Sequence, residues 1–430
     1  MQQDARPAQE PAANVKHRPL PPVYVLGGYQ TDFSLHYTRD GRSLFDLVRD
    51  TAQRALAAAQ VDASAIEFGH VGNFIAELAC QQGHLGAYLI EAEPALSGIP
   101  TARHEAACAS GSVATLAAMA DLQSGRYDVG MVLGVELMRN KSAIDAQAQL
   151  GCAALVPEET AGIVYPWPKL LSDVAEEYAR RYGIDTAHLR AIARNNFACA
   201  KRNPSAQGRS WTLDERCFAD DDERNPTVAG RLRRYDCCPV TDGGAALVLA
   251  SQAGAERYAA RRGIPLASLP RITGFGHHTA RISLRHKLME NQKSQYTFPH
   301  VRATITDAFA RAGLRGVEEL DAIECHDCFT VMEYMILDHF GFGPPGWPCQ
   351  AIEDGVVFWG GKTPVNPSGG LLGGGHPVGA SGVRMLLDAA KQVSGTAGDY
   401  QVKGARRVAT LNVGGSASTS VCFIVERAPQ

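Results

Sequence analysis

Apolar runs of strand length alternate with stretches of helical spacing along most of the chain. Residues 23–29 (VYVLGGY) form the first apolar run. Behind it Leu44, Leu47, Val48, Ala52, Ala55 and Leu56 recur with the period of a helix that has one buried face. Residues 66–74 (IEFGHVGNF) read as a second strand and residues 111–125 (GSVATLAAMADLQSG) as a helix stopped by Gly125. Residues 128–136 (DVGMVLGVE) and 243–251 (GGAALVLAS) are apolar throughout, as strands covered on both faces are. This alternation predicts an α/β fold with a buried sheet.

The pattern occurs twice. Residues 108–136 (CASGSVATLAAMADLQSGRYDVGMVLGVE) are echoed by residues 379–395 (GASGVRMLLDAAKQVSG), a linker, and residues 405–415 (ARRVATLNVGG). Each copy opens a helix on Ala-Ser-Gly and continues into an apolar strand. The closing strands 243–251 and 416–426 also match in kind. Two similar halves are therefore expected, 23–136 with 236–252 and 253–430. An inserted lobe spans 137–235, and residues 1–22 are a flexible tail. The lobe carries the amphipathic segment SDVAEEYARRYG and the basic residues Arg231, Arg233 and Arg234. Those arginines read as a solvated face, with a phosphate contact as the alternative.

Bulk properties narrow the class. At 430 residues the chain exceeds one ordinary core. A formal charge of -3 gives no electrostatic footprint for nucleic acid, and no apolar run reaches membrane-spanning length. The first residues lack the apolar centre of a secretory signal, and Asp4 and Glu10 spoil a transit peptide. Eleven cysteines without an export signal point to free thiols in a reducing compartment, so a cytoplasmic location is expected. Cys325 and Cys328 form a C-x-x-C, which alone suits zinc or redox exchange. The adjacent Cys237–Cys238 pair is a poor second half for a zinc site, so no metal is expected.

Four stretches hold reactive side chains. Residues 105–114 (EAACASGSVA) set Cys108 just ahead of a helix, whose N-terminus favours a thiolate. In residues 323–335 (IECHDCFTVMEYM), an extended chain would turn His326 and Cys328 to one side and Cys325 to the other, with Asp327 capping the helix that follows. Residues 366–382 (NPSGGLLGGGHPVGASG) place His376 in a glycine-rich connection before the second Ala-Ser-Gly helix, the position Cys108 holds in the first half. It is not a Walker-type loop, because the Gly-Lys-Ser/Thr ending is absent. If the halves pack about a pseudo-twofold axis, the two helix starts meet there, thiol beside imidazole. Residues 411–419 (LNVGGSAST) form a glycine turn at a strand end.

Taken together, ACASG, HDCF, GGGHPVGASG and the closing glycine turn resemble the thiolase superfamily, from Val23 to the C-terminus. The HDCF form is similar to the branch of sterol-carrier-protein-2 thiolases and archaeal acetyl-CoA acetyltransferases. The resemblance implies two βαβαβαββ halves in a five-layer αβαβα sandwich. It implies Cys108 as the acylated nucleophile, His376 as its activator, and His326 as a stabiliser of the thioester oxyanion. The common thiolases draw a second cysteine from Cys-x-Gly-Gly-Gly, where this chain has Asn412, so Cys328 takes the acid/base role. Gly414 matches the glycine whose N–H completes an oxyanion hole with that of Cys108. The implied reaction is reversible Claisen condensation or thiolysis of 3-ketoacyl-CoA. Coenzyme A thioesters are then substrates, and no cofactor is permanently bound. A homodimer or tetramer is implied, and an OB-fold, zinc-ribbon protein is a possible partner. Two alternatives stay open. One is another acyl-CoA chemistry, such as an aldol lyase, which Cys108 argues against. The other is a non-catalytic lipid- or partner-binding protein. Residues 276–300 (GHHTARISLRHKLMENQKSQYTFPH) depart from the common pattern and are expected to line or cover the acyl pocket.

Overall fold

The computed structural model describes residues 20–428. The expected tail falls outside the described residues as far as residue 19. The first half runs β1 (Val23–Gln30), α1 (Leu44–Ala59), β2 (Phe68–Gly72), α2 (Leu85–Ala92), β3 (Thr101–His104), α3 (Ser110–Gln123), β4 (Val129–Glu136). Helices α4 (Pro166–Tyr182) and α5 (Thr186–Ala200) come next, and the half closes with β5 (Gly243–Ala250). The second half runs β6 (Arg271–Thr279), α6 (Leu284–Glu290), α7 (Pro299–Ala312), β7 (Ala322–Cys325), α8 (Thr330–Phe340), α9 (Val378–Ser394), β8 (Arg407–Gly414) and β9 (Thr419–Glu426).

The echo in the sequence is an echo in topology. In the first half the strand order is β3-β2-β4-β5-β1, with β2 parallel to β3 and β4, and β5 antiparallel to β4 and β1. In the second it is β7-β8-β9-β6, with the same parallel and antiparallel pairings. The counterpart of β3 is reduced to one parallel bridge, Ile323 to Val365. The two leaves meet at a corner where Val23 and Tyr24 pair with Ile272 and Arg271, so all nine strands share one hydrogen-bonded ladder.

Helices α1 and α2 pack together outside the first leaf, and α7 and α8 outside the second. Between the leaves lie α3 and α9, which touch each other; α9 also touches strands of both leaves. This is the five-layer αβαβα sandwich. A helix covered on all sides cannot keep a polar stripe, and α9 is buried over nearly its whole length. Its buried Arg384 is paired with Glu324 at 2.9 Å and Asp388 at 3.2 Å. Glycine sets the closeness of the central pair: a Cβ on Gly111 would lie 2.6 Å from the Gly379 carbonyl oxygen. The repeated Ala-Ser-Gly is therefore a helix-crossing device that brings two N-termini together.

Asp327 does not cap α8. Its carboxylate accepts from the backbone N–H groups of Leu371 and Leu372 and from Asn196 Nδ2, tying the glycine-rich connection down. Phe329 holds the N-cap position, without a side-chain hydrogen bond. The chain also turns at His326, where Asp327 N–H donates to Cys325 O, and is not extended there. Among the described residues no helix is long and apolar enough to cross a membrane.

Candidate active site

The start of α3 places Cys108 through a strained turn. Ala107 sits at φ +50°, a left-handed backbone that a non-glycine residue adopts only when its neighbours hold it. Ser110 supplies that hold: its hydroxyl accepts from Ala106 N–H at 2.9 Å and donates to Ala107 O at 2.6 Å. The Glu105 carboxylate accepts from Ala107 N–H at 2.6 Å.

His376 enters from the start of α9. Its backbone N–H donates to Thr241 Oγ1 at 2.8 Å. Ser381 Oγ lies 2.7 Å from His376 Nδ1 and 2.9 Å from Pro377 O. A carbonyl only accepts, so both contacts are hydrogen bonds when Ser381 gives its single proton to Pro377 and Nδ1 carries its own. Nε2 is left as a lone pair, and it is buried with no hydrogen-bond partner.

His326 has the opposite arrangement. Asn412 Nδ2 lies 3.2 Å from His326 Nδ1, and Asn412 Oδ1 accepts from Ser112 Oγ at 2.9 Å. The amide therefore donates to Nδ1, and the His326 proton sits on Nε2. Asn412, where the common thiolases have cysteine, sets this tautomer. One ligand-type atom each from Cys108, His326 and His376 fall within 4.8 Å of one another. The two imidazoles stand edge to face, 5.1 Å between centroids.

The two halves thus bring Cys108, His326 and His376 together. Cys328 faces the same cavity, about 100 Å³ in volume, along with Cys108, His376, Cys238 and Gly415. Its remaining walls are largely apolar, including Leu150, Trp167, Val240 and Phe329. Cys325, the other half of the C-x-x-C, is fully buried with its sulphur 3.5 Å from Asn366 Nδ2. It does not share the cavity, so these two thiols do not make a chelating pair.

Gly415, one residue beyond Gly414, lines the cavity with Cys108. Its N–H and that of Cys108 itself favour the Cys108 thiolate. Gly414 ends β8 in register with Thr419, with its Cα packed under Ala106 O. Gly415 begins the turn that follows, at φ +61°. A strand-end glycine pair leaves this choice open in sequence.

Burial also reverses the expected protonation. It pushes the Cys108 thiol up to about 12, against the pull of the Gly415 N–H. Burial, and after it the Arg384 charge, lowers His376 to about 3. Burial and the neighbouring His376 hold His326 well below its ordinary value. Cys328 lies well above the usual thiol range through burial, then through Cys238 and Cys108. Each of these shifts favours neutral thiols and neutral imidazoles at rest.

Cys238 is a cavity residue that motif reasoning passed over. Its N–H donates to Cys328 O at 2.9 Å, placing the two cysteines side by side on neighbouring segments. A groove of about 620 Å³ adjoins the cavity and shares Pro168, Cys237, Cys238 and Pro239 with it. Trp211, Tyr235 and Arg234 line that groove. Of the three arginines singled out by sequence, Arg231 pairs with Glu176, and Arg233 with Asp220 and Asp222. Arg234 alone of them faces the groove.

Comparison with known families decides the assignment. Residues 23–253 match the thiolase N-terminal domain and residues 283–427 the thiolase C-terminal domain-like family. The chain belongs to the thiolase family. It is 30% identical over 409 residues to an acetyl-CoA acetyltransferase of Methanothermobacter thermautotrophicus, covering 94% of this chain and 99% of that one. It is 28% identical over 416 residues to sterol carrier protein 2 of Oryctolagus cuniculus, covering 93% of this thiolase and 71% of that protein. Among solved structures, an Ltp2-ChsH2(DUF35) aldolase has a TM-score of 0.76 at 20% identity, covering 96% of this chain and all of that one. An acetyl-CoA acetyltransferase from Syntrophomonas wolfei has a TM-score of 0.70 at 16% identity, with 95% of this chain and all of that one covered. At these identities the solved structures support the fold.

Proposed function

We propose that this thiolase transfers acyl groups between coenzyme A thioesters through a Cys108 thioester, running Claisen condensation and its reverse. The observation that carries the reading is the buried, unpartnered lone pair of His376 Nε2, in one cluster with Cys108 and His326. A neutral imidazole beside a neutral thiol is a general base awaiting its acid. As the sulphur attacks a thioester or ketone carbonyl, its proton passes to Nε2. The resulting oxyanion meets the His326 Nε2–H or the backbone N–H groups of Cys108 and Gly415. Removing one such donor typically costs about 2.7–4 kcal/mol of transition-state stabilisation.

The protonated Cys328 thiol suits thiolysis directly, because the departing acetyl-CoA enolate takes its proton. Coenzyme A then attacks the acyl-Cys108, giving its thiol proton to the Cys328 thiolate, and leaves with the acyl group as the His376 proton returns to Cys108. In condensation the order reverses: the first coenzyme A leaves as its thiol with the proton held on His376, and Cys328 then gives its own proton to His376 and takes the α-proton of the second thioester. The His376 proton returns to Cys108 when the carbon–carbon bond releases it. The adjoining groove, with aromatic walls and Arg234, fits the extended, phosphate-bearing body of coenzyme A, and the apolar cavity fits the acyl end.

The test is intact and peptide mass spectrometry after mixing with acetyl-CoA. Acetylation of Cys108, retained in C328A while condensation is lost, is the expected result. An unmodified Cys108, or undiminished condensation by C328A, would overturn the reading.

A further inference from the structure

The turn that presents Gly415 has an unusual backbone. Gly415 lies at φ +61° and Ala417, which is not glycine, at φ +59°. A non-glycine residue in the left-handed region persists only where its surroundings over-determine it. Two side chains from residues 276–300 do so here. Lys287 of α6 is 1% exposed, and its Nζ donates to Ser416 Oγ and Ser418 Oγ, each at 2.8 Å. His300 of α7 donates from Nε2 to Ala417 O at 2.5 Å. The three residues after Gly415 are each held by one of these two groups, so the turn has little freedom to move.

Neither residue faces the cavity; both act one step behind it. We propose that Lys287 and His300 are positioning residues that clamp the 415–418 turn and so hold the Gly415 N–H in the cavity wall beside the Cys108 sulphur. Burial lowers Lys287 to about 7, opposed by the charge of Glu159, and lowers His300 to about 4. The carboxylate of Glu159 is itself engaged by Ser283 Oγ and Arg285 N–H. Residues 276–300 were expected to line or cover the acyl pocket; this pair instead supports the backbone that the chemistry uses. The inference rests on the acyl-transfer reading only for the use made of that N–H, and its test does not require acyl transfer.

The test is the rate of Cys108 alkylation by iodoacetamide between pH 7 and 9, resolved by peptide mass spectrometry. The exposed Cys152 of the same molecule serves as reference. A hydrogen bond lost from a thiolate raises its pKa, and one unit means about tenfold less thiolate at a given pH. Lys287→Met is expected to slow Cys108 about tenfold relative to Cys152, and Lys287→Arg, which keeps donors, to stay near the wild-type ratio. Ser416→Ala/Ser418→Ala removes the acceptors and is expected to match Lys287→Met; it carries the test should that variant not fold. A wild-type Cys108-to-Cys152 ratio in the folded variants would overturn the proposal. Acetylation of the wild-type chain, measured separately, judges the acyl-transfer reading.

Discussion

Ser381→Ala probes the tautomer on which the proposed chemistry turns. In the wild type the Ser381 hydroxyl accepts the His376 Nδ1 proton at 2.7 Å and passes its own to Pro377 O. Alanine removes the acceptor and leaves Nδ1–H without a partner in a site that is 6% exposed. A buried donor left unmade costs about 1–3 kcal/mol. The imidazole escapes that cost by moving its proton to Nε2, which already lacks a partner and there finds Cys108. The base is then the minor form by about 5- to 150-fold, since every 1.36 kcal/mol is a factor of ten. Rapid-quench acetylation of Cys108 by saturating acetyl-CoA, followed by intact mass, reads that fraction directly. The single-turnover rate is expected to fall by this factor while binding of acetyl-CoA is little changed. A variant that acetylates at the wild-type rate would show that Ser381 does not set the tautomer.

Three further outcomes follow from the same structure. Burial lowers His376 and His339 to about 3 and His300 to about 4, so these groups bind protons in the unfolded chain and not in the folded one between those values and about 6.5. Burial also raises Glu136 and Glu324 to about 7 and Glu333 to about 8, and these bind protons in the folded chain over the same range. The two sets oppose each other, so thermal midpoints are expected to change little from about pH 6.5 to about 5, and a steep fall would contradict the burial of the carboxylates. Arg384→Met leaves Glu324 buried without its cation and is expected to destabilise by about 3–5 kcal/mol in denaturant titration. Gly111→Ala forces a methyl toward Gly379 O, 2.6 Å from an ideal Cβ. It is expected to cost about 1–3 kcal/mol and to slow Cys108 acetylation by separating the two helix starts.

The division into two similar units was legible because the same physical need arises twice. Each central helix must cross its twin closely, so Gly111 and Gly382 recur in matched positions and the apolar strands after them keep their order. Cys108 and His376 were legible for the same reason, as they sit where those repeats converge, while His326 was legible through the resemblance of its HDCF stretch. What depends on single hydrogen bonds was not. Asp327 has the residue type of a helix cap, but stronger backbone donors at Leu371 and Leu372 claim it. Gly414 and Gly415 are indistinguishable as letters, and only the hairpin register tells strand end from turn. The upward push of burial on Cys108 could not be read from its helix, because it depends on the walls that other segments bring around the thiol.

The corner where β1 pairs with β6 makes the two leaves one continuous ladder, hinged at Val23–Tyr24 and closed over α3 and α9. Nucleophile and base therefore ride on opposite covers of a book whose spine is two residue pairs long. Splaying those covers slightly would part sulphur from imidazole while leaving each leaf intact. Loss of turnover should then precede loss of secondary structure as the protein is warmed.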